Sequence, residues 1–84
     1  MLTIQFLCPL PNGLHARPAW GLKEQCSQWQ SEVIFLNHRQ NARADAKSSL
    51  ALIGTGTLFN DSCSLTITGR DEEQARRALE EYLL

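Results

Sequence analysis

Between Pro11 and Trp20 the chain reads PNGLHARPAW, with a histidine and an arginine two residues apart, set between a turn and a proline. Helical periodicity begins at Ala16, which puts His15 at the N-cap and Arg17 and Pro18 in the first turn. A helix start leaves backbone N–H groups without partners and carries a partial positive charge. Pro18 loses little there, because its missing N–H has no helical acceptor in any case. Arg17 is different. Its charge has the same sign as the helix end, and stability alone favours Asp, Ser or Glu at such a place. The pattern makes sense if an anion is to sit at the helix mouth, where amides and a guanidinium fork together form a phosphate site. Positive surroundings disfavour a second charge on His15 and leave a neutral ring nitrogen as nucleophile. The chemistry this predicts is covalent phosphoryl transfer, with the moving group held by preorganised donors. The plain alternative is a histidine that merely caps a helix. Arg17, Gly13 and Pro18 together weigh against it. No carboxylate or second histidine lies at ligand spacing, since His38 falls on a distant turn, so no metal and no cofactor are expected.

The elements that must hold this site alternate in period. Leu2, Ile4, Phe6 and Cys8 alternate with Thr3, Gln5 and Leu7, which reads as a strand with one buried face. Pro11-Asn12-Gly13 is a turn. Ala19, Leu22, Cys26 and Trp29 share one arc of a helix starting at Ala16, and Trp20 falls on the outward side, where it suits either a docking surface or packing flat on a neighbouring loop. Glu32–Asn37 is a strand, His38–Gln40 a polar turn, and Asn41–Asp45 its hairpin partner. Ser48 caps a short helix through Ile53, with Gly54 at C′. Cys63, Leu65 and Ile67 mark a further strand. Asp71 and Gln74 form a variant capping box for a last helix, with Ala75, Ala78, Leu79, Tyr82 and Leu83 as its apolar stripe. Glu72/Arg76 and Glu73/Arg77 are expected as i,i+4 pairs on its outer face. The order β-α-β-β-α-β-α gives a two-layer α+β domain, a mainly antiparallel four-stranded sheet with helices on one face.

Length and composition bound the rest. Eighty-four residues make one small domain, and 43% hydrophobic with 20% charged residues is ordinary for a globular protein. A net charge of -1 offers no broad lure for nucleic acid or an anionic membrane, so any basic site must be local. The apolar runs are too short to span a bilayer, and no secretory leader is evident, so a cytoplasmic place is expected. Cys8, Cys26 and Cys63 are odd in number and form no CxxC pair, which reads as reduced thiols serving as small apolar residues. Gly54–Thr57, GTGT, lacks the third glycine of a nucleotide loop and follows a helix, so it reads as a helix stop.

The GLHARPA segment (Gly13–Ala19) resembles the phosphorylation motif of HPr, the histidine phosphocarrier of the bacterial PEP:sugar phosphotransferase system. The resemblance spans essentially the whole chain: AKSSL (Ala46–Leu50) falls where that family has its second site region and short second helix. It implies an open-faced β-sandwich of four strands and three helices. It also implies that His15 accepts a phosphoryl group on Nδ1 from enzyme I and passes it to a sugar-specific EIIA domain. Arg17 and the backbone amides of Ala16 and Arg17 would bind the group. Leu14, Trp20, Leu50 and Ile53 would form the docking surface, and Ser48 would match a regulatory serine, although a cap alone explains it. Trp20, where a small residue is usual, and a hairpin about two residues longer than the usual form set this chain apart. It is most similar to the HPr domain of multiphosphoryl transfer proteins of fructose-like systems, which implies a single domain over 1–84 cut from a longer chain, monomeric in itself. Such a domain is a relay, not a stand-alone enzyme, and is part of a PEP-protein phosphotransferase if fused to enzyme I. The competing readings are a regulatory HPr-like binding module with little phosphoryl flux and a purely structural domain.

Overall fold

Alternating apolar residues draw the N-terminal segment into an edge strand, β1 (Leu2–Leu7), in the computed structural model, which describes residues 1–83. After it come α1 (Ala16–Ser27), β2 (Glu32–Asn37), β3 (Ala42–Asp45), α2 (Ser49–Gly54), β4 (Ser62–Thr68) and α3 (Glu72–Leu83). The sheet order is β1-β4-β2-β3, and every neighbouring pair is antiparallel. Register puts the apolar sets of all four strands on one face. Ile4 opposes Leu65, Leu65 opposes Phe35, and Phe35 opposes Ala44, all buried. One step along, Leu2, Ile67 and Val33 repeat the pattern. The helices cover this face: α1 packs on α2 and α3, and α3 on β1 and β4. Phe35, Leu52, Leu65, Ile67 and Leu79 are fully buried, and each contributes about 1.5–3 kcal/mol by leaving water. Phe6 meets Phe35 edge-on, ring centroids 6.2 Å apart. The opposite face, with Thr3, Thr66, Ile34 and Asp45 in register, stays open.

The expected element order and fold class hold, and several details are corrected. Strand β3 starts at Ala42, because Asn41 takes a left-handed φ of 50° as the last turn residue. Helix α1 ends at Ser27, so Trp29 reaches the core from the following turn. Gly54 is still helical. Thr55 ends α2 instead, its hydroxyl donating to the Leu52 carbonyl at 2.7 Å, and the left-handed residue is Gly56 at φ 64°. The Asp71 capping box is replaced by a tertiary clamp, in which the Asp71 carboxylate accepts from both the Gln30 and Ser31 N–H groups and from the Ser31 hydroxyl. Glu72 reaches back to the Gly69 N–H and to the chain's ammonium instead of pairing with Arg76, whose ion pair is with Glu80 at 3.1 Å. For Glu73 and Arg77 no pair forms among the described residues. Tyr82, placed in the apolar stripe, is half-exposed.

Two solution properties follow. All three cysteines are free and buried, and burial pushes the thiols of Cys26 and Cys63 up to about 12. Alkylation by iodoacetamide at pH 8 is therefore expected to be slow in the native protein and fast in urea, as followed by intact mass. Asp61, Asp71 and Glu72 are held below the ordinary carboxyl range, chiefly by Arg39, by the Ser31 hydroxyl and by the Gly69 N–H respectively. Because these values are depressed on folding, the unfolded chain takes up protons first as pH falls. Their stabilisation is complete above about pH 5 and is lost progressively below it. The urea midpoint is expected to hold steady from pH 7 to 5 and to drop below pH 4; a midpoint unchanged down to pH 2 would contradict this.

Candidate functional site

The turn before α1 is shaped by what lies behind it. Gly13 is buried with φ 75°, and a Cβ there would clash with the Thr57 carbonyl oxygen. That oxygen accepts the Leu14 N–H at 3.0 Å, and the His15 N–H donates back to Gly13 at 3.1 Å. A side chain at position 13 would push the two segments apart, so glycine is set by close approach as well as by φ.

His15 then takes extended backbone, φ -94° and ψ -168°, as the N-cap of α1. Its carbonyl accepts the first helical bond, from Ala19 at 3.0 Å. Its side chain makes no capping bond, and the first turn contains no acidic residue. His15, Ala16 and Arg17 are all exposed. The amides of Ala16 and Arg17 occupy helix positions that have no intrahelical acceptor, and Pro18 has no N–H to present. The helix mouth thus offers two outward amides, a guanidinium on the same turn and an imidazole free of the capping role that a Ser or Asp would take. An anion of phosphate charge and shape fits those donors, and a neutral imidazole nitrogen beside them can carry it.

Of the other residues singled out from the sequence, Trp20 is 56% and Leu50 81% exposed, and Ile53 is also exposed, on two helices that pack together. The Lys23 ammonium lies 5.2 Å from the Trp20 ring centroid, a cation–π contact within α1. Leu14 is a correction. At 8% exposure it belongs to the core cluster, because the Thr57 bond turns the segment inward, and it gives a partner little surface. The Ser48 side chain accepts the Ala51 N–H at 3.2 Å as the N-cap of α2. Sequence reasoning did not single out Thr57. Its carbonyl is a backbone group, and the only trace of it in the sequence is the glycine at position 13. No helix among the described residues is long and apolar enough to cross a membrane.

The family model for the PTS HPr component phosphorylation site matches residues 2–84. The chain belongs to the HPr family. HPr proteins are the phosphocarriers of the phosphotransferase system, and the family acts with enzyme I and EIIA. The chain is 88% identical over 84 residues to the multiphosphoryl transfer protein of Shigella flexneri, covering all of this chain and 10% of that one. It is 34% identical to the phosphocarrier protein HPr of Mycoplasma genitalium, over 99% of this chain and 93% of that one. Its fold matches that of HPr-C-His from Thermoanaerobacter tengcongensis with a TM-score of 0.88 at 28% identity, over 99% and 91% of the two chains. The sequence therefore spans about a tenth of the multiphosphoryl relative and nearly all of a free-standing HPr.

Replacing Gly13 tests how the HPr turn is built. Gly13→Ala is expected to lower stability by at least about 1 kcal/mol, from the left-handed φ and the clash at Thr57 together. Urea unfolding measures this, and an unchanged midpoint would contradict the close approach.

Proposed function

We propose that this chain is a phosphoryl relay in which His15 Nδ1 accepts the phosphoryl group from a phosphohistidine of enzyme I and gives it to an EIIA domain. The observation that carries this reading is the exposed N-cap histidine that does not cap, at a helix mouth holding Arg17 and no acid. In the accepting step the N–P bond of the donor breaks and its electron pair stays on the donor nitrogen, while the Nδ1 lone pair of His15 forms the new N–P bond in line. The neutral tautomer keeps its proton on Nε2, so no proton has to move. Charge on the three equatorial oxygens is met by the amides of Ala16 and Arg17 and by the Arg17 guanidinium. Trp20, Leu50 and Ile53 supply the adjoining apolar surface for the partner. The 88% identity to one tenth of a multiphosphoryl transfer protein supports a domain that works inside a longer chain, with its partners fused to it. Ser48 is a cap in this reading, its hydroxyl being engaged with Ala51.

Incubation with PEP, magnesium and enzyme I, followed by intact mass, tests the proposal. One acid-labile phosphoryl group is expected on the wild type and none on His15→Ala. Arg17→Ala is expected to slow transfer by about 10²-fold with the fold intact. A mass shift that persists in His15→Ala would overturn the assignment.

A further inference from the structure

A buried polar cluster lies directly behind the His15 turn, and the phosphoryl chemistry as described above does not use it. The Asp61 carboxylate, 7% exposed, accepts from Arg39 Nε at 2.7 Å and Nη2 at 3.0 Å, from the Leu58 N–H at 2.8 Å and from Asn37 Nδ2 at 2.9 Å. Arg39 Nη2 also donates to the Gly56 carbonyl at 3.2 Å. Asn37 Nδ2, on the fully buried last residue of β2, donates to Thr57 Oγ1 at 2.8 Å, and Thr57 Oγ1 shares a hydrogen with Thr55 Oγ1 at 2.8 Å. All of these bonds converge on residues 55–61.

That segment in turn holds the Cys8–Leu14 loop at both ends. At one end the Cys8 N–H donates to the Asp61 carbonyl, and the Asn60 N–H donates to the Cys8 carbonyl, both at 2.9 Å. At the other end the Thr57 carbonyl takes the Leu14 N–H, with Gly13 pressed against it. The loop that delivers His15 thus hangs between two anchors, and both anchors are fixed by one carboxylate and its partners. Buried polar groups are retained at a desolvation penalty unless fully paired, and here the pairing is spent on a surface loop and not on the core.

We infer that Asp61, with Arg39 and Asn37, forms a positioning cluster that sets His15 for in-line phosphoryl transfer. This rests on the carrier reading of His15. None of the three touches the phosphoryl group. They act through Thr57 and Leu14. The expected consequence is a defect in the transfer step and not in partner docking, because the exposed Trp20, Leu50 and Ile53 lie on α1 and α2, outside the clamped loop. Misplacement of a reacting group by about 1 Å is enough to slow a reaction by up to about 10²-fold.

Asp61→Asn and Arg39→Gln test this, the second because Arg39 is half-exposed and its loss leaves the core untouched. Two readouts are taken on folded protein: enzyme I-dependent phosphorylation rates, and amide hydrogen exchange. The expected result is a fall of about tenfold in the rate at saturating enzyme I, with KM changed less than about twofold, and partial rescue in Arg39→Lys. Exchange is expected to speed up at Cys8 and Leu14 while the amides of β2 and β4 keep their protection. A uniform rise in exchange with an unchanged rate would reduce the cluster to a stability device and overturn the inference, as would unchanged exchange at Leu14 in both variants. A wild type that takes up no phosphate would instead overturn the carrier reading, and the role inferred here with it.

Discussion

The uncapped N-terminus of α1 is the constraint on which the site depends. A capping Ser, Thr, Asp or Asn is worth about 1 kcal/mol, a sizeable share of the roughly 5–15 kcal/mol by which small domains are stable. Helix α1 has neither such a cap nor an acid in its first turn, and it adds Arg17, whose charge opposes the helix dipole. The deficit is offset elsewhere: Ala19, Leu22 and Cys26 anchor the helix to the core, and the Leu14–Thr57 bond anchors the turn before it. In the proposed carrier reading, the anion that would relieve the deficit is the phosphoryl group on His15, since an open helix mouth holds an anion more favourably than a capped one.

The sheet serves that arrangement through its topology. Because β4 lies between β1 and β2, the segment leading into β4 runs beside the segment leaving β1. Those are residues 55–61 and 8–14, and their mutual bonds place the His15 turn. The buried pairing of Asn37 and Asp61 ties the same segment to the end of β2. The His15 turn is therefore braced by the edge strand β1 and by both inner strands, β4 and β2, while its outward surface remains exposed.

Much of this was legible from the chain. Strand alternation fixed the faces of β1 and β4, since a period of two leaves no other choice once one face is apolar, and Arg17 beside His15 marked a helix start that the structure leaves without a side-chain cap or an acid. Local rules failed where tertiary partners outbid them. Asp71 looked like a cap but turned to Ser31, Glu72 turned to Gly69, and Thr55 ended α2 in place of Gly54. The family resemblance put Leu14 on the docking surface, yet its backbone bonds to a residue 43 positions away and its side chain lies in the core. The Asn37–Asp61–Arg39 cluster left only a faint trace, a polar residue closing an apolar strand, because its meaning lies in contacts between distant segments.

The central claim is that one particular nitrogen of one of the two histidines carries the phosphoryl group. The most direct measurement is nitrogen–phosphorus coupling by NMR in the phosphorylated protein with labelled histidine. The account predicts coupling to Nδ1 of His15, with the His38 ring unchanged. Coupling to Nε2, or to either nitrogen of His38, would contradict it.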